Sequence, residues 1–315
     1  MSTIGVLARA DLQEAGPAVR ELVSWLRDRG HRPCLEEATA ALSGKGAETG
    51  CLVAPGSELA GQVDALVVLG GDGTLLAASR LLERPIPVLG VNFGSLGFLT
   101  EITLSELYPT LEGLLDGRFE HEDRRLLRAV VRRQGQDDVT QDVLNDVVVT
   151  KAGPSRIIEV DVVVDGLFVS SFRADGMIIS SPTGSTAYNL AAGGPILRPT
   201  LPAMVVTPIC PHMLSNRPLV VGDESRVEVR LRAARGVDVY TALDGQETFA
   251  LTEGDGVTVT GSPLRLKLVT ARGRDYFQVL RTKLKWGDSS VDHGRSRGGS
   301  AEADDVLGLT RGDKG

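Results

Sequence analysis

The chain is poor in cysteine, in basic charge and in long apolar runs, and each shortage closes off a class of protein. Its three cysteines, Cys34, Cys51 and Cys210, are an odd number without close spacing, so neither a disulfide framework nor a zinc ribbon is expected. The four histidines, His31, His121, His212 and His293, nowhere stand four residues apart, which excludes a zincin helix. No apolar run reaches the roughly 18 residues of a membrane-crossing helix. The N-terminus has no basic leader, and Arg9 and Asp11 interrupt its apolar stretch, so no signal peptide is read there. With 34 Lys and Arg against 41 Asp and Glu, the net charge is -7, whereas nucleic-acid binders present a basic face. The expectation is a cytoplasmic protein with neither nucleic acid nor a membrane as partner.

Glycine is what the chain has in excess: 37 of 315 residues, against an average share of about 7%. Residues 3–7 read as a buried strand. Val19, Leu22, Val23 and Leu26 follow at helical spacing, with Pro17 near the start of that helix and Gly30 past its end. Residues 65–69 and 86–91 read as strands, and residues 74–83 as a helix between them. Thr103 and Glu106 have the spacing of a capping box, opening a helix that buries Leu107, Leu111, Leu114 and Leu115. Pro109 inside that pattern predicts a kink or a delayed start. Such alternation predicts an α/β domain over residues 1–120 with an open, mainly parallel sheet.

Near residue 120 the texture changes. Short β-branched segments cover 126–133, 142–150, 156–164, 167–172, 177–180, 227–231, 237–242, 257–260 and 264–269. Asp165-Gly166 and Asp244-Gly245 mark hairpin turns between them. An all-β sandwich is expected over 121–273. Residues 274–286 return to a helix whose Tyr276, Val279, Leu280 and Leu284 pack back on the first domain. Residues 287–315 hold seven glycines, ten charges and no aromatic, which predicts a disordered tail.

Three glycine-bearing turns carry candidate chemistry. Gly70-Gly71-Asp72-Gly73-Thr74 stands between a buried strand and a helix. Its glycines let the backbone approach a ligand closely, and the helix start offers N–H groups and positive potential to a phosphate. Asp72 sits at the carboxyl end of a parallel strand, where open α/β sheets bind ligands. An acid beside a phosphate cradle points to metal coordination or general-base work. The stretch matches neither the P-loop nor the Rossmann fingerprint. The alternative is a tight turn with Asp72 as a plain helix N-cap. The second turn, Asn92-Phe93-Gly94-Ser95-Leu96-Gly97-Phe98-Leu99, also follows a strand; its alternative is an ordinary loop with Phe93 and Phe98 in the core. In the third, Asp175-Gly176 leads a strand into Pro182-Thr183-Gly184-Ser185-Thr186-Ala187-Tyr188-Asn189. Hydroxyls meet a helix start there, and Tyr188 either stacks on a base or is buried.

Taken in order, Gly70 to Thr74, Leu144-Asn145-Asp146-Val147, Arg173-Ala174-Asp175-Gly176, Pro182 to Tyr188, Gly193-Gly194-Pro195-Ile196 and Pro208-Ile209-Cys210-Pro211-His212 resemble the bacterial NAD kinases. The likeness runs from about Gly5 to about Trp286. It implies phosphoryl transfer from ATP, or from polyphosphate, to the 2′-hydroxyl of the adenosine ribose of NAD, with Mg²⁺ or Mn²⁺ accompanying the ATP. It implies an α/β domain and a β-sandwich domain with NAD between them, in a homodimer or homotetramer formed through the sandwich. By the same resemblance, Asp72 is the general base and Gly73 lies against the dinucleotide. Asn145 and Asp146 hold ribose hydroxyls and the adenine side, though Asn-Asp is also common turn chemistry. Arg173 and Asp175 contact the dinucleotide. Thr186, Ala187, Tyr188, Asn189, Leu190 and Ala191 enclose one of its rings, and Arg156 and Gln246 make peripheral contacts.

Two other readings stay open on the sequence. A lipid or sphingoid-base kinase shares the Gly-Gly-Asp-Gly-Thr turn but predicts an apolar groove and membrane association. A dinucleotide-binding sensor without turnover would bind NAD and leave it unchanged.

Overall fold

In the computed structural model, the described residues are 1–286 except 13, 45–49, 95, 154–155, 235 and 272, so the reading of a tail over 287–315 lies outside them. The first lobe follows its hydrophobic pattern. Strands β1 (Thr3–Ala8), β2 (Arg32–Glu36), β3 (Leu52–Ala54), β4 (Ala65–Leu69) and β5 (Pro87–Asn92) are mutually parallel. Helices α1 (Ala15–Asp28), α2 (Glu37–Ser43), α3 (Gly56–Gln62) and α4 (Asp72–Ser79) connect them. α1 buries Val19, Leu22, Val23 and Leu26, and Gly30 takes φ 74 just past its end. After the short β6 (Ile102–Thr103), α5 (Leu104–Leu115) opens with the expected capping box, in which Thr103 N donates to Glu106 Oε2 at 2.9 Å. Pro109 neither stops nor delays this helix. It is exposed, so the Ser105 carbonyl that it leaves without a helical donor can turn to water.

The second lobe contains β7 (His121–Arg132), β8 (Val139–Val143), β9 (Asp146–Lys151), β10 (Ile158–Val164), β11 (Leu167–Ala174) and β12 (Gly176–Ser180). A 3-10 turn (Gly184–Thr186) and the short α6 (Tyr188–Ala191) lead to β13 (Ala203–Ile209). Then come β14 (Leu219–Gly222), β15 (Val227–Ala233), β16 (Val239–Leu243), β17 (Glu247–Leu251), β18 (Gly256–Val269) and α7 (Tyr276–Leu284). Both Asp-Gly hairpins form, with φ 52 at Asp165 and Asp244 and positive φ at the glycine after each.

The sheets do not divide at the lobe boundary. β18, which the sequence breaks into two short segments, is one 14-residue strand with an irregularity between Gly261 and Arg265. Its first half pairs with β15 and its last residues pair in parallel with β5, while β7 follows both halves along the other edge. A 12-stranded sheet in the order β11-β10-β15-β18-β5-β4-β1-β2-β3, with β6, β7 and β8 beside that path, therefore runs through both lobes. The second sheet, β14-β13-β12-β9-β16-β17, is antiparallel. It packs on the β7–β10–β15–β18 part of the first, with Val147, Val149, Met177 and Ile179 against Leu127, Val131, Val160 and Val229. Alternation along β9 then puts Asp146, Val148 and Thr150 on the outer face. There Val148, Ile178 and Ile209 form a small apolar floor with Ala192 and Ala242.

The segment into α7 lies where the lobes meet. Arg274 donates to the Glu101 carbonyl and to Glu106 Oε1, and the Tyr276 hydroxyl donates to the Leu197 carbonyl at 3.2 Å. Asp275 caps α7 by accepting from Gln278 N at 2.9 Å.

Candidate active site

Asp72 is the first residue of α4, but it does not cap it. Gly71 holds the cap position with no side-chain bond. Instead the Asp72 carboxylate crosses to the turn after β5. Its Oδ2 accepts from Phe98 N at 2.8 Å. Its Oδ1 accepts from Leu99 N at 3.1 Å, Thr100 N at 3.0 Å and Thr100 Oγ1 at 2.9 Å. The second glycine turn is therefore a clamp for the acid of the first. Gly97 is required for that approach, because a Cβ there would lie 2.0 Å from Asp72 Oδ1 and 2.5 Å from Thr100 Oγ1. Gly71 and Gly73 differ: a Cβ on either would meet nothing within 4 Å, and neither has positive φ. Nothing in the protein itself asks for glycine there, so the open space suits a ligand lying on the backbone. As in any first helical turn, the N–H groups of Asp72 and Gly73 have no acceptor within the helix.

The Asn145–Asp146 turn reaches this point from the other lobe. Leu144 is buried with Leu75 and Leu76 of α4 in one apolar cluster, so the next two residues emerge beside the helix. Asp244, in the β16–β17 turn, gathers the backbone there. Its carboxylate accepts from Leu144 N at 2.9 Å, Asn145 N at 2.7 Å and Asp146 N at 3.1 Å. Burial raises the Asp244 pKa, and those three N–H groups and Arg80 oppose the rise. Asp146 is 5% exposed, and among the described residues no group donates to its carboxyl. Burial, and then the nearby Asp244 charge, push its pKa up to about 7.

The third turn forms the floor. A Cβ on Gly184 would meet the Asn145 carbonyl oxygen at 2.2 Å. That oxygen also accepts from Ser181 N at 2.8 Å. Thr183 Oγ1 is buried without a partner among the described residues. Tyr188 is 44% exposed, which removes the buried alternative. Its pKa is raised by burial of its inner part and then by Cys210, Asp175 and Asp146. Ala187 and Ala191 are exposed, and Thr186 and Leu190 are half-buried. Asn189 turns its side chain inward. It is fully buried, its Nδ2 donates to the Ser185 and Pro195 carbonyls, and its Oδ1 accepts from Thr207 Oγ1. Its side chain braces α6.

Asp175 sits near the opposite end of β9 and β12, where Gly176 pairs with Thr150 while Ser180 pairs with Asp146. Its Oδ1 is 3.0 Å from Lys151 Nζ. Arg173 is exposed on β11 beside it. Arg156 is exposed, with its guanidinium near the Gly236 turn. Gln246 does reach the first lobe: its Nε2 donates to the Gly73 carbonyl at 3.5 Å and its Oε1 accepts from Arg80 Nη1 at 3.0 Å. A groove of about 400 Å³ along α5, lined by residues such as Pro109, Gly113 and Phe119, holds none of these residues.

Lys151, Arg80 and the clamp at 98–100 were not legible as site residues. Lys151 and Arg80 stand in no local motif. The clamp was visible only as a glycine turn, without its partner.

An α/β lobe with an acid and free N–H groups at its strand ends, set against an antiparallel lobe with ribose-sized polar turns, defines a two-lobed nucleotide-binding protein. The family model described as the ATP-NAD kinase N-terminal domain matches residues 4–119, and that of the ATP-NAD kinase C-terminal domain matches residues 144–271. The NAD kinase of Geobacter sulfurreducens is 47% identical over 290 residues, covering 91% of this chain and 100% of that protein. That of Geotalea daltonii is 44% identical over 290 residues, with the same coverage. The fold is similar to that of a yeast NADH kinase solved with NADH, at TM-score 0.84 and 24% identity over 92% of this chain and 89% of that one. It is also similar to an NAD kinase from Archaeoglobus fulgidus solved with ATP, at TM-score 0.71 and 25% identity over 90% and 98%. The chain belongs to the ATP-NAD kinase family.

Proposed function

We propose that this protein transfers the γ-phosphoryl group of ATP, or of polyphosphate, to the 2′-hydroxyl of the adenosine ribose of NAD, yielding NADP. The observation that supports it most is the junction itself: the α4 start with Asp72 and the Asn145–Asp146 turn share one apolar cluster and one hairpin. In the reaction the 2′-oxygen forms a bond to phosphorus, the bond from phosphorus to the bridging oxygen breaks, and ADP, or a polyphosphate one unit shorter, departs. Asp72 Oδ2 accepts one protein donor and so keeps a lone pair for the hydroxyl proton. The helix N–H groups face the phosphates.

Asp146, titrating near 7, can both donate and accept, which suits a ribose hydroxyl. Tyr188 stacks on a base, and Thr183 Oγ1 supplies a further polar contact. From Asp146 to Lys151 the strand spans on the order of 16 Å. That length, with polar groups at both ends, suits a ligand of two nucleoside halves. Asp175, Lys151 and Arg173 take the second half. Thr186, Ala187, Leu190 and Ala191 border it, Gln246 holds Gly73, and Arg156 serves at the periphery.

Among the described residues no three His, Cys, Asp or Glu side chains converge as a metal cage. That fits a Mg²⁺ or Mn²⁺ ion that would be carried by the nucleotide phosphates rather than by a cage of side chains. When bound, that ion neutralises charge on the phosphoryl oxygens.

We propose residues 1–120 and 121–273 as the two functional lobes, working in the cytoplasm as a homodimer or homotetramer. Leu167, Phe168 and Val169 on β11 and Leu219 and Val220 on β14 are exposed on edge strands of the two sheets, as a self-associating edge requires. Light scattering of the purified chain tests this. NADP formation from NAD, ATP and Mg²⁺, read by an NADP-specific coupled dehydrogenase, tests the reaction. Product with either ATP or polyphosphate is expected; none with both would overturn the proposal.

A further inference from the structure

α4 carries Asp72 at its start and Arg80 at its C-cap. The Arg80 side chain is 16% exposed and crosses to the other lobe. Its Nη1 donates to Gln246 Oε1 at 3.0 Å, across 166 residues of sequence. Its Nη2 pairs with Glu247. Gln141, with its amide turned to satisfy both neighbours, accepts from Arg80 Nε at 2.5 Å and donates to Glu247 Oε2 at 3.0 Å. The guanidinium thus has a partner for each of its three nitrogens. Gln246 also holds the other end of the helix through the Gly73 carbonyl at 3.5 Å. One hairpin turn therefore grips α4 at both ends. The same turn carries Asp244, which fixes the backbone of Asn145 and Asp146.

We infer that Arg80 is a positioning residue for the phosphoryl transfer, a latch that sets α4, and with it Asp72, against the Asn145–Asp146 turn. This rests on the function proposed above. A planar fork reaches three separate acceptors, which a lysine ammonium on a flexible stem cannot hold together in one geometry. Misplacing a reacting group by about 1 Å costs on the order of 10²-fold in rate. Most of the groups proposed to hold NAD lie on the second lobe, where Asp244 fixes the Asn145–Asp146 turn through three N–H groups, so the latch bears chiefly on where α4 stands.

The test compares wild type, Arg80→Met, Arg80→Lys, Asp72→Asn and the Arg80→Met/Asp72→Asn double variant, by kcat for NADP formation and by calorimetric NAD affinity without ATP. Arg80→Met is expected to lower kcat about 10–100-fold and to leave NAD affinity within about threefold. Arg80→Lys should recover only part of the loss. In the Asp72→Asn background, Arg80→Met should change kcat less than about threefold, because a residue acting through Asp72 has nothing left to position. An unchanged kcat in Arg80→Met, a parallel loss of NAD affinity, or the full loss repeated in the double variant would overturn the latch. Failure of the wild type to form NADP would overturn the underlying function, and is seen before any variant is compared.

Discussion

Replacing Asp72 with asparagine separates two jobs that the structure gives one carboxylate. As an anchor, it accepts four hydrogen bonds from Phe98, Leu99 and Thr100. As a base, it offers the lone pair left on Oδ2. Asparagine can keep its oxygen at the Oδ1 position, facing three donors. Its amide nitrogen must then face the Phe98 N–H, which loses its acceptor. A hydrogen bond to a charged group contributes about 1.5–3 kcal/mol, and the other three bonds weaken once the charge is gone. The expected destabilisation is roughly 3 kcal/mol, read as a fall of several degrees in Tm. Turnover should fall further, by on the order of 10²–10⁴, the usual share of a positioned acid–base group. Thr100→Val supplies the control. It removes one clamp bond, and the Asn92 Nδ2 contact at 3.1 Å, while leaving the carboxylate intact. Its turnover should fall no more than about tenfold. The assay is initial-rate NADP formation at saturating NAD and ATP, with thermal unfolding on the same samples. Turnover of Asp72→Asn within about threefold of wild type, or equal losses in both variants, would refute the base and leave Asp72 only its anchoring role.

Gly97→Ala should abolish most activity and lower Tm, since its Cβ would lie 2.0 Å from Asp72 Oδ1; Gly73→Ala, with nothing within 4 Å, should fold normally and raise KM instead. Equal Tm losses in the two would contradict that reading. Asp146 titrates near 7 in the folded protein against 3.8 for the free side chain, so its contribution is complete below about pH 4 and is lost as pH rises through 7. Asp146→Asn should flatten that fall by a few kcal/mol, on the order of the linkage for such a shift; parallel urea-stability profiles from pH 5 to 8 in the two proteins would count against it. Tyr188→Ala should weaken NAD binding by about 1–3 kcal/mol, the range for one base stacked on an aromatic ring, with little change in Tm because the ring is 44% exposed. Unchanged calorimetric affinity would remove it from the site.

Features set by neighbours in sequence were legible in the sequence. The α1 stripe, the Thr103–Glu106 capping box and the two Asp-Gly hairpins each depend on residues a few positions apart. Where a long-range partner decides, local pattern does not show it. Asp72 has the signature of an N-cap, but its donors are 26 to 28 residues away. Asp244 looks like a turn former and is one, yet its carboxylate serves N–H groups 98 to 100 residues distant. Asn189 stands in the motif from Pro182 to Asn189, and its side chain meets Thr207, 18 residues on. β18 was split because Gly261, Ser262 and Pro263 read as a break; the structure keeps one strand by absorbing them as an irregularity beside β7.

These long-range carboxylates also answer a question of charge. The chain carries -7, and both NAD and ATP are anionic, so bulk electrostatics opposes binding. Two of the acids closest to the proposed phosphate path are already engaged with backbone dipoles. Asp72 is met by three N–H groups and a hydroxyl, and Asp244 by three N–H groups. Asp146, to whose carboxyl no group among the described residues donates, is held partly protonated near pH 7 by burial. Of the charged groups on the far side, Asp175 is paired with Lys151. At these four carboxylates the negative charge is offset by donors, by a cation or by protonation, and the α4 start adds positive potential. Preorganised dipoles of this kind keep their strength in a site that excludes water. An acidic protein can therefore hold an anionic dinucleotide without a basic patch, provided that Asp72 and Asp244 keep their N–H partners. Loss of the Phe98–Thr100 clamp would then weaken nucleotide binding as well as turnover, by exposing a charge that the fold had neutralised.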